Sequence, residues 1–242
     1  MKNINLSLLV FLLACTLAYS QKRVLSRDIT VTSSEELRLL NTFKEYQVVE
    51  IDLAKFSEDV TPLKETRILW DIGKSNNLDI QLYPHDIRSP SFKAAMVMEK
   101  GITNVEINKT VTYKGYLTNT GNKVRLTITD NFIYGSIQTD EGLLMIDQLK
   151  YVLKDKSIPS NKLVIYNNNN VKEGNLVCGT PDTEIEGRSA QEGVIAYSSS
   201  AGCNIVEVNV DCDTEYWNDY NDASFTRMLA EFNMIQDVYE DE

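Results

Sequence analysis

Short segments in which every second residue is apolar recur between residues 47 and 150, and they constrain the fold more than any other feature. Alternation places the apolar side chains on one face of a β-strand. Asn119–Asn122 and Thr139–Gly142 have turn sequences and lie between such segments. The clearest alternating series are Val49, Ile51 and Leu53; Leu78, Ile80 and Leu82; Val124, Leu126 and Ile128; and Ile133, Gly135 and Ile137. The spacing predicts a mainly β fold, an antiparallel sandwich or partial barrel.

One short helix is predicted ahead of these strands. Ser33-Ser34-Glu35-Glu36 has the pattern of a capping box, and Leu37, Leu40 and Phe43 share one helical face. No helical pattern of useful length separates the later strands, which argues against a doubly wound parallel sheet.

The N-terminus has the pattern of a secretory signal peptide. Lys2 precedes an apolar run, Leu6–Leu17, and Ala18-Tyr19-Ser20 fits the small-x-small cleavage rule. We therefore expect residues 1–20 to be removed and the mature protein to be secreted. The alternative is a lipoprotein signal in which Cys15 is lipidated. No later stretch is long and apolar enough to predict a transmembrane segment.

Charge is distributed unevenly along the 242 residues. The formal net charge is -11, which argues against nucleic acid and anionic lipid as partners. Residues 201–242 contain eleven acidic residues and one base, Arg227. This asymmetry predicts two units with different roles, and a solvated acidic tail is the alternative.

If Cys15 leaves with the signal peptide, Cys178, Cys203 and Cys212 remain. An odd number in an exported chain indicates a free thiol or an intermolecular partner. Cys203 and Cys212 flank a predicted strand, Asn204–Asp211, whose extended length of roughly 30 Å is too great for one disulfide. They can pair only if the strand prediction is wrong.

Residues 166–200 have the composition of a linker, with four consecutive asparagines at Asn167–Asn170. Cys178 lies within this linker, in Leu176-Val177-Cys178-Gly179-Thr180. A thiolate on such a connection is able to reach and bind a zinc ion elsewhere. The alternative is a cysteine without any ligand role.

The C-terminal piece, residues 201–242, is predicted to contain the strand Asn204–Asp211 and one amphipathic helix. Asp222 or Ser224 can cap this helix. Its apolar residues recur at three- and four-residue spacing, and we expect them to be buried against their own domain: Phe225, Met228, Leu229, Phe232, Ile235 and Tyr239. One strand and one helix form too small a core to fold alone. The piece must pack on the β region, bind a partner or begin a longer domain.

Residues 75–150 resemble the prodomain of adamalysin-type (reprolysin) zinc metallopeptidases. The resemblance rests on the order and spacing of short segments rather than on any one of them. These segments are Leu78–Asp86 followed by Phe92, Tyr113-Lys114-Gly115-Tyr116 followed by Val124–Ile128, and Gly135-Ser136-Ile137 continuing to Leu144–Ile146.

The resemblance implies a division of the chain into a prodomain at residues 21–165, a linker carrying a cysteine switch, and the start of a catalytic domain. Cys178 would be the inhibitory zinc ligand, filling the coordination position that the hydrolytic water needs. The family motif has a basic residue and a proline upstream, whereas here Lys172 is farther away and no proline precedes the cysteine. Residues 201–242 would be the first strand and helix of a truncated α/β metzincin domain. Glu207 would then occupy the position of a calcium ligand.

Catalysis in that family requires H-E-x-x-H-x-x-G-x-x-H, which this chain lacks. The one histidine, His85 in Tyr83-Pro84-His85-Asp86, is predicted to be a turn residue rather than a catalytic or metal-binding group. The chain as given is therefore not a competent peptidase, and zinc belongs to the full-length enzyme.

The function that the resemblance implies is that of a propeptide, which keeps a secreted zinc metalloendopeptidase latent through a cysteine–zinc contact. Its partner would be its own or a matching catalytic domain, and proteins would be the substrates of the full-length enzyme. The alternatives are a free-standing prodomain-like inhibitor and an exported β-sandwich that binds a partner through Phe225, Met228 and Phe232.

Overall fold

A computed structural model of the chain describes residues 21–60, 64–73, 76–98, 100–105, 111–172 and 208–240. The chain divides into two units. One unit joins the chain up to Lys172 with the chain from Cys212 onward, and the other is Glu173–Asp211. The elements described below all belong to the first unit.

Eleven strands, five α-helices and two short 3-10 helices, Asn168–Asn170 and Asn221–Ala223, make up the described part of this unit. The strands are β1 (Lys22–Asp28), β2 (Gln47–Ile51), β3 (Thr66–Asp71), β4 (Asn77–Pro84), β5 (Ala94–Met98), β6 (Gly101–Val105), β7 (Thr112–Leu117), β8 (Lys123–Ile128), β9 (Ile133–Thr139), β10 (Gly142–Gln148) and β11 (Lys162–Asn167). The helices are α1 (Ser33–Thr42), α2 (Leu53–Asp59), α3 (Leu149–Val152), α4 (Thr214–Tyr220) and α5 (Ser224–Glu240).

Nine of the strands form one closed barrel in the order β1-β2-β11-β10-β9-β8-β7-β4-β3. The prediction of a sandwich or partial barrel is therefore wrong. The prediction did not include β1, because the sequence of this strand shows little alternation of apolar and polar residues. Strand β1 pairs antiparallel with β2 and parallel with β3. The parallel pairing, from Lys22 opposite Ile68 to Leu25 opposite Asp71, closes the sheet on itself. The strands β5 and β6 form a separate hairpin.

The barrel interior holds the main hydrophobic core. The apolar residues of the alternating series are buried as predicted, with Val124, Leu126 and Ile137 at zero exposure. Leu53 differs because it begins α2 instead of ending a strand. Helix α2 contributes to the same core through Phe56, whose ring meets that of Trp70 edge-on at 5.1 Å between centroids.

A second apolar cluster lies on the outside of the barrel. Val48 and Val164 alternate with interior residues, so they point outward, where they pack with α1 and α3. Helix α1 buries Leu39, and Phe43 directly after the helix is also buried, whereas Leu37 of the predicted face is 64% exposed. Its capping box is formed by Thr32 and Glu35, one residue earlier than predicted.

The C-terminal piece is not the beginning of an α/β domain. Helices α4 and α5 pair with each other, and α5 packs against β7, β8 and β9 of the barrel. Residues 208–211, the described part of the predicted strand Asn204–Asp211, have no regular secondary structure. The predicted metzincin fragment is therefore wrong. The apolar periodicity gave the helix correctly, but it carried no information about where that helix packs.

Two glycines of the segments that resemble the peptidase prodomain allow adjacent strands to approach closely. A Cβ atom on Gly115 would lie 2.0 Å from the carbonyl oxygen of Gln81, and one on Gly135 would lie 2.0 Å from that of Arg125. Both opposing atoms belong to the backbone of a paired strand and cannot rotate away. These glycines are therefore required by the barrel itself.

Alanine at either close-contact glycine is expected to destabilise the barrel. We predict that Gly115→Ala and Gly135→Ala each lower the free energy of unfolding by about 1–3 kcal/mol or more, because strands must separate to admit the methyl group. Urea denaturation measures the change. Gly121→Asn is the control, since no atom lies within 4 Å of that Cβ position and asparagine tolerates its positive φ of 77°. Equal effects of all three substitutions would contradict the close-contact explanation.

Candidate functional site: a helix-docking face on the barrel

Several polar residues of β8, β9 and β10 are buried although they point away from the barrel interior. They alternate with interior residues along each strand, so the pleat directs them outward. Their exposure is nevertheless very low because α5 lies across this side of the barrel. We call them, together with the half-buried Tyr134, the helix-docking face: Arg125, Thr127, Tyr134, Ser136 and Asp147.

The principal contact at this face is an ion pair between Arg227 of α5 and Asp147 of β10. The Arg227 Nη1 atom lies 3.0 Å from Oδ1 and 3.1 Å from Oδ2 of Asp147. Both residues are buried, with exposures of 7% and 6%. Burial raises the pKa of the Asp147 carboxyl, and the adjacent guanidinium opposes that rise. The charge on Asp147 therefore depends on Arg227.

Aromatic and acidic groups complete the surroundings of the Arg227 guanidinium. It stacks 3.6 Å from the ring centroid of Tyr134, lies 5.1 Å from that of Tyr220, and donates from Nε to Glu231 at 2.9 Å. Burial alone would lower the pKa of Arg227, but the surrounding groups, above all Asp147, raise it overall. Burial also raises the pKa of the Tyr134 hydroxyl to about 12, against the effect of the nearby cation. The site is thus a desolvated pocket that binds a guanidinium group.

A second set of contacts anchors the C-terminal half of α5. Asp237 accepts a hydrogen bond from Arg125 Nε at 2.7 Å. Asn233 donates from Nδ2 to the backbone oxygens of Tyr113 and Leu126, both at 3.2 Å. These contacts fix the register of the helix along β7 and β8, because each joins a specific side chain to a specific position of the barrel.

The stripe of α5 that faces the barrel is polar or small. Ser224, Arg227, Ala230 and Asn233 recur every three residues and are all buried. The predicted apolar stripe is not the buried one. Its members Phe225, Met228, Leu229 and Phe232 are only half-buried, and Ile235 is 44% exposed. The apolar stripe is thus partly buried, the fully buried positions of α5 belong to the polar and small stripe, and the burial of the apolar stripe against its own domain stays a prediction.

Helix α4 is attached to the barrel beside the Arg227 pocket. Lys154 binds Asp219 at 3.0 Å, and Lys156 donates to the backbone oxygen of Asn218 at 2.6 Å. The ring centroid of Tyr220 lies 5.0 Å from that of Tyr151 in α3, the short helix that follows β10. Tyr220 therefore connects α4, α5 and the barrel.

The residues that the sequence singled out for chemistry do not form a site in the described part of the chain. His85 follows β4 directly, and its Nε2 lies 2.7 Å from Oε1 of Gln236 on α5, so it borders the helix contact. Cys15, Cys178, Cys203 and Glu207 lie outside the described residues, whereas Cys212 is a free, exposed thiol. Among the residues the structure describes, no group of three or more His, Cys, Asp or Glu side chains is placed to hold a metal ion.

Sequence reasoning missed the Arg227–Asp147 pair. The two residues are 80 positions apart, and Asp147 occupies a strand position where outward polar residues are ordinary. The only signal was that Arg227 is the single base in an otherwise acidic segment. A single base in an acidic segment affects the net charge, but it does not show which acid that base pairs with.

The sequence matches no protein-family model, and comparison with curated proteins gives no significant match either. Within the described ranges, the structure contains no helix that combines the length and the apolar character needed to cross a membrane. The resemblance to peptidase prodomains therefore rests on the quoted segments alone.

Arg227→Ala is expected to release α5 from the barrel. It would leave Asp147 buried without a counter-charge, at a cost of about 3–5 kcal/mol. Limited proteolysis and hydrogen exchange across α5 measure the release. Arg27→Ala is the matched control, because the Arg27 side chain pairs with Glu50 at the surface and is 78% exposed, so its loss should cost about 0–1 kcal/mol.

The double substitution Arg227→Met with Asp147→Leu separates charge from packing. It should restore most of the docking that Arg227→Ala removes, since an apolar pair can replace a buried ion pair. If Arg227→Ala leaves α5 as protected as it is in the Arg27→Ala control, the ion pair does not hold the helix.

Proposed function

We propose that the barrel is a non-catalytic binding module that serves as the propeptide of a secreted zinc metalloendopeptidase. The observation that carries this proposal is the way the barrel holds α5. Its two apolar clusters, as far as the chain is described, contain no residue of α5, whereas its outer face binds that helix through ion pairs and hydrogen bonds. A protein with this construction is suited to hold another polypeptide segment in a defined register and to release it.

The part of the chain that resembles peptidase prodomains supports this function. Residues 75–150 include β8, β9 and β10, which are neighbours in the barrel and carry the helix-docking face. The resemblance and the helix contact therefore involve the same side of the molecule. A prodomain acts by binding, so the absence of the H-E-x-x-H sequence from this chain agrees with the proposal.

In this function Cys178 is the residue that confers latency. Its thiolate would bind the zinc ion of the partner catalytic domain and exclude the water that attacks the peptide bond. The proposal includes secretion after cleavage behind Ser20. Glu207 is not part of this proposal, because its predicted role as a calcium ligand depended on the metzincin strand Asn204–Asp211, whose described part has no regular secondary structure.

The second candidate is a free-standing exported binding module or inhibitor. The observation that favours it is that α4 and α5 belong to the same compact unit as the barrel, with α5 packed against β7, β8 and β9. In this case the barrel would bind its partner without any contribution from Cys178.

An inhibition assay in which the chain is added to a separate catalytic domain distinguishes the two candidate functions. It compares one pair of cysteine variants. The chain is added to a matching adamalysin-type catalytic domain that lacks its own propeptide, and the concentration for half-inhibition of peptide cleavage is measured. Cys178→Ser should raise that concentration at least about tenfold, because serine is a poor zinc ligand. Cys212→Ser, which removes an exposed free thiol, should leave it unchanged.

The possible outcomes are distinct. Inhibition that is equal in both cysteine variants would overturn the cysteine switch and favour the free-standing inhibitor. An absence of inhibition by the unmodified chain would overturn the peptidase-propeptide function.

A further inference from the structure

Helix α5 covers the helix-docking face without matching all of its hydrogen-bonding groups. Thr127 of β8 is completely buried, and its hydroxyl has no hydrogen-bond partner among the residues the structure describes. On the helix side, Ser224 and Asn233 are also buried, and the Ser224 hydroxyl and Asn233 Oδ1 have no partner within the same described ranges. Buried polar groups are normally paired, and each unpaired one weakens the contact that buries it. The helix is therefore an imperfect occupant of this face.

The place of Thr127 shows where the match fails. Thr127 lies opposite Tyr134 in the sheet, and the ring of Tyr134 stacks on Arg227. The buried stripe of α5 continues from Arg227 through Ala230 to Asn233. Its middle residue ends in a methyl group, which offers no hydrogen bond to a hydroxyl. A segment of different sequence can satisfy Thr127 better than α5 does.

The Arg227 pocket, by contrast, is built for one chemical group. The barrel contributes the Asp147 carboxylate, within 3.1 Å of Arg227 Nη1, and the ring of Tyr134, 3.6 Å from the guanidinium carbon. A carboxylate and an aromatic ring together recognise the planar, charged head of an arginine. Any helical segment that presents an arginine at this place can therefore make the same contacts.

The barrel does not need α5 for its apolar core. Within the described part of the chain, neither apolar cluster includes a residue of this helix. The nine strands of the barrel all come from residues 22–167, ahead of α5 in the sequence. Exchange of the helix therefore leaves the paired strands and their core in place.

We propose that α5 is an internal ligand that keeps the helix-docking face closed, and that an arginine-bearing helical segment of a partner protein replaces it. The partner's arginine would bind Asp147 and Tyr134 in place of Arg227. The contact of α5 is thus autoinhibitory, because a partner must compete with a helix of the same chain, which is present at high effective concentration. The inference goes beyond the proposed function, and its test involves neither zinc nor a peptidase. Either of the two can therefore fail without the other.

The test uses the full chain and a fluorescent synthetic peptide with the sequence of residues 221–240. Anisotropy titration should show at least about tenfold tighter binding to the Arg227→Ala chain than to the unmodified chain, because the internal competitor has lost its ion pair. A matched peptide with lysine at the position of Arg227 should bind the Arg227→Ala chain at least about tenfold more weakly, since lysine lacks the planar fork.

Three further variants separate the pocket from the rest of the protein. Arg227→Ala combined with Asp147→Asn should bind the arginine peptide at least about tenfold more weakly than Arg227→Ala alone, because the pocket has lost its carboxylate. Arg27→Ala removes a surface pair with Glu50 and should bind like the unmodified chain. Arg227→Lys keeps a positive charge beside Asp147 and should also bind the peptide more tightly than the unmodified chain, which keeps the test decisive if Arg227→Ala does not fold.

Three outcomes would overturn the proposal. The first is equal binding of the peptide by the unmodified chain and by the Arg227 variants, with unchanged circular dichroism spectra. The second is equal binding of the arginine and lysine peptides. The third is a concentration-dependent dimer of the unmodified chain that Arg227→Ala abolishes, which would assign the exchange to a second copy instead of a partner.

Discussion

Closure of the barrel by β1 is the constraint on which the rest of the structure depends. Lys22–Asp28 pairs with β2 on one side and with β3 on the other, and the pairing with β3 is parallel. Because the nine strands then form a closed ring, their inward side chains complete a core around Trp70, Phe56 and the central leucines and isoleucines. Without this pairing, β2 and β3 would each present an open sheet edge.

A complete interior core changes what the outside of the barrel can do. Helix α1 covers an apolar patch around Val48 and Val164, as an amphipathic helix normally does. Helix α5 meets a different surface, in which Arg125, Tyr134 and Asp147 are the outward groups. Its docking therefore depends on ion pairs and hydrogen bonds, whose geometry fixes the register of the helix. Buried ion pairs add little net stability compared with apolar contacts, which suits a contact that can be released.

The fold was partly predictable from sequence, and the reasons for success and failure are physical. Alternation identified the inward residues of β4, β8 and β9, because burial on one face of a strand requires a period of two. It missed β1, whose exposed face is charged and whose inward residues are few. It also failed to predict closure, which depends on the pairing of β1 with β3 across about 45 residues. Local periodicity contains no information about such long-range pairing.

The docking face could not be predicted for a related reason. Asp147 and Arg227 are ordinary polar residues in their own segments, and only the tertiary structure brings them together. Apolar periodicity predicts the helix α5, but its most buried positions are the polar and small ones, which periodicity does not single out. Cys178 and Glu207, which the resemblance singled out, lie outside the described ranges, so their roles stay predictions.

Together these features describe a barrel that folds around its own core and holds a two-faced helix on its outer surface. The buried positions of the helix are polar or small and contact the barrel, whereas its apolar side chains are only partly buried. The proposed propeptide function requires a module that folds first and then presents a defined surface to the enzyme.

The central claim is that the barrel forms without α5, and native-state hydrogen exchange tests it most directly. If the account is correct, the amides of Leu126 and Ile137 exchange only through global unfolding, whereas those of Met228 and Ala230 exchange through a smaller opening with a lower free energy. The claim would be contradicted if both sets of amides showed the same free energy and the same dependence on denaturant. The helix would then be part of the cooperative core.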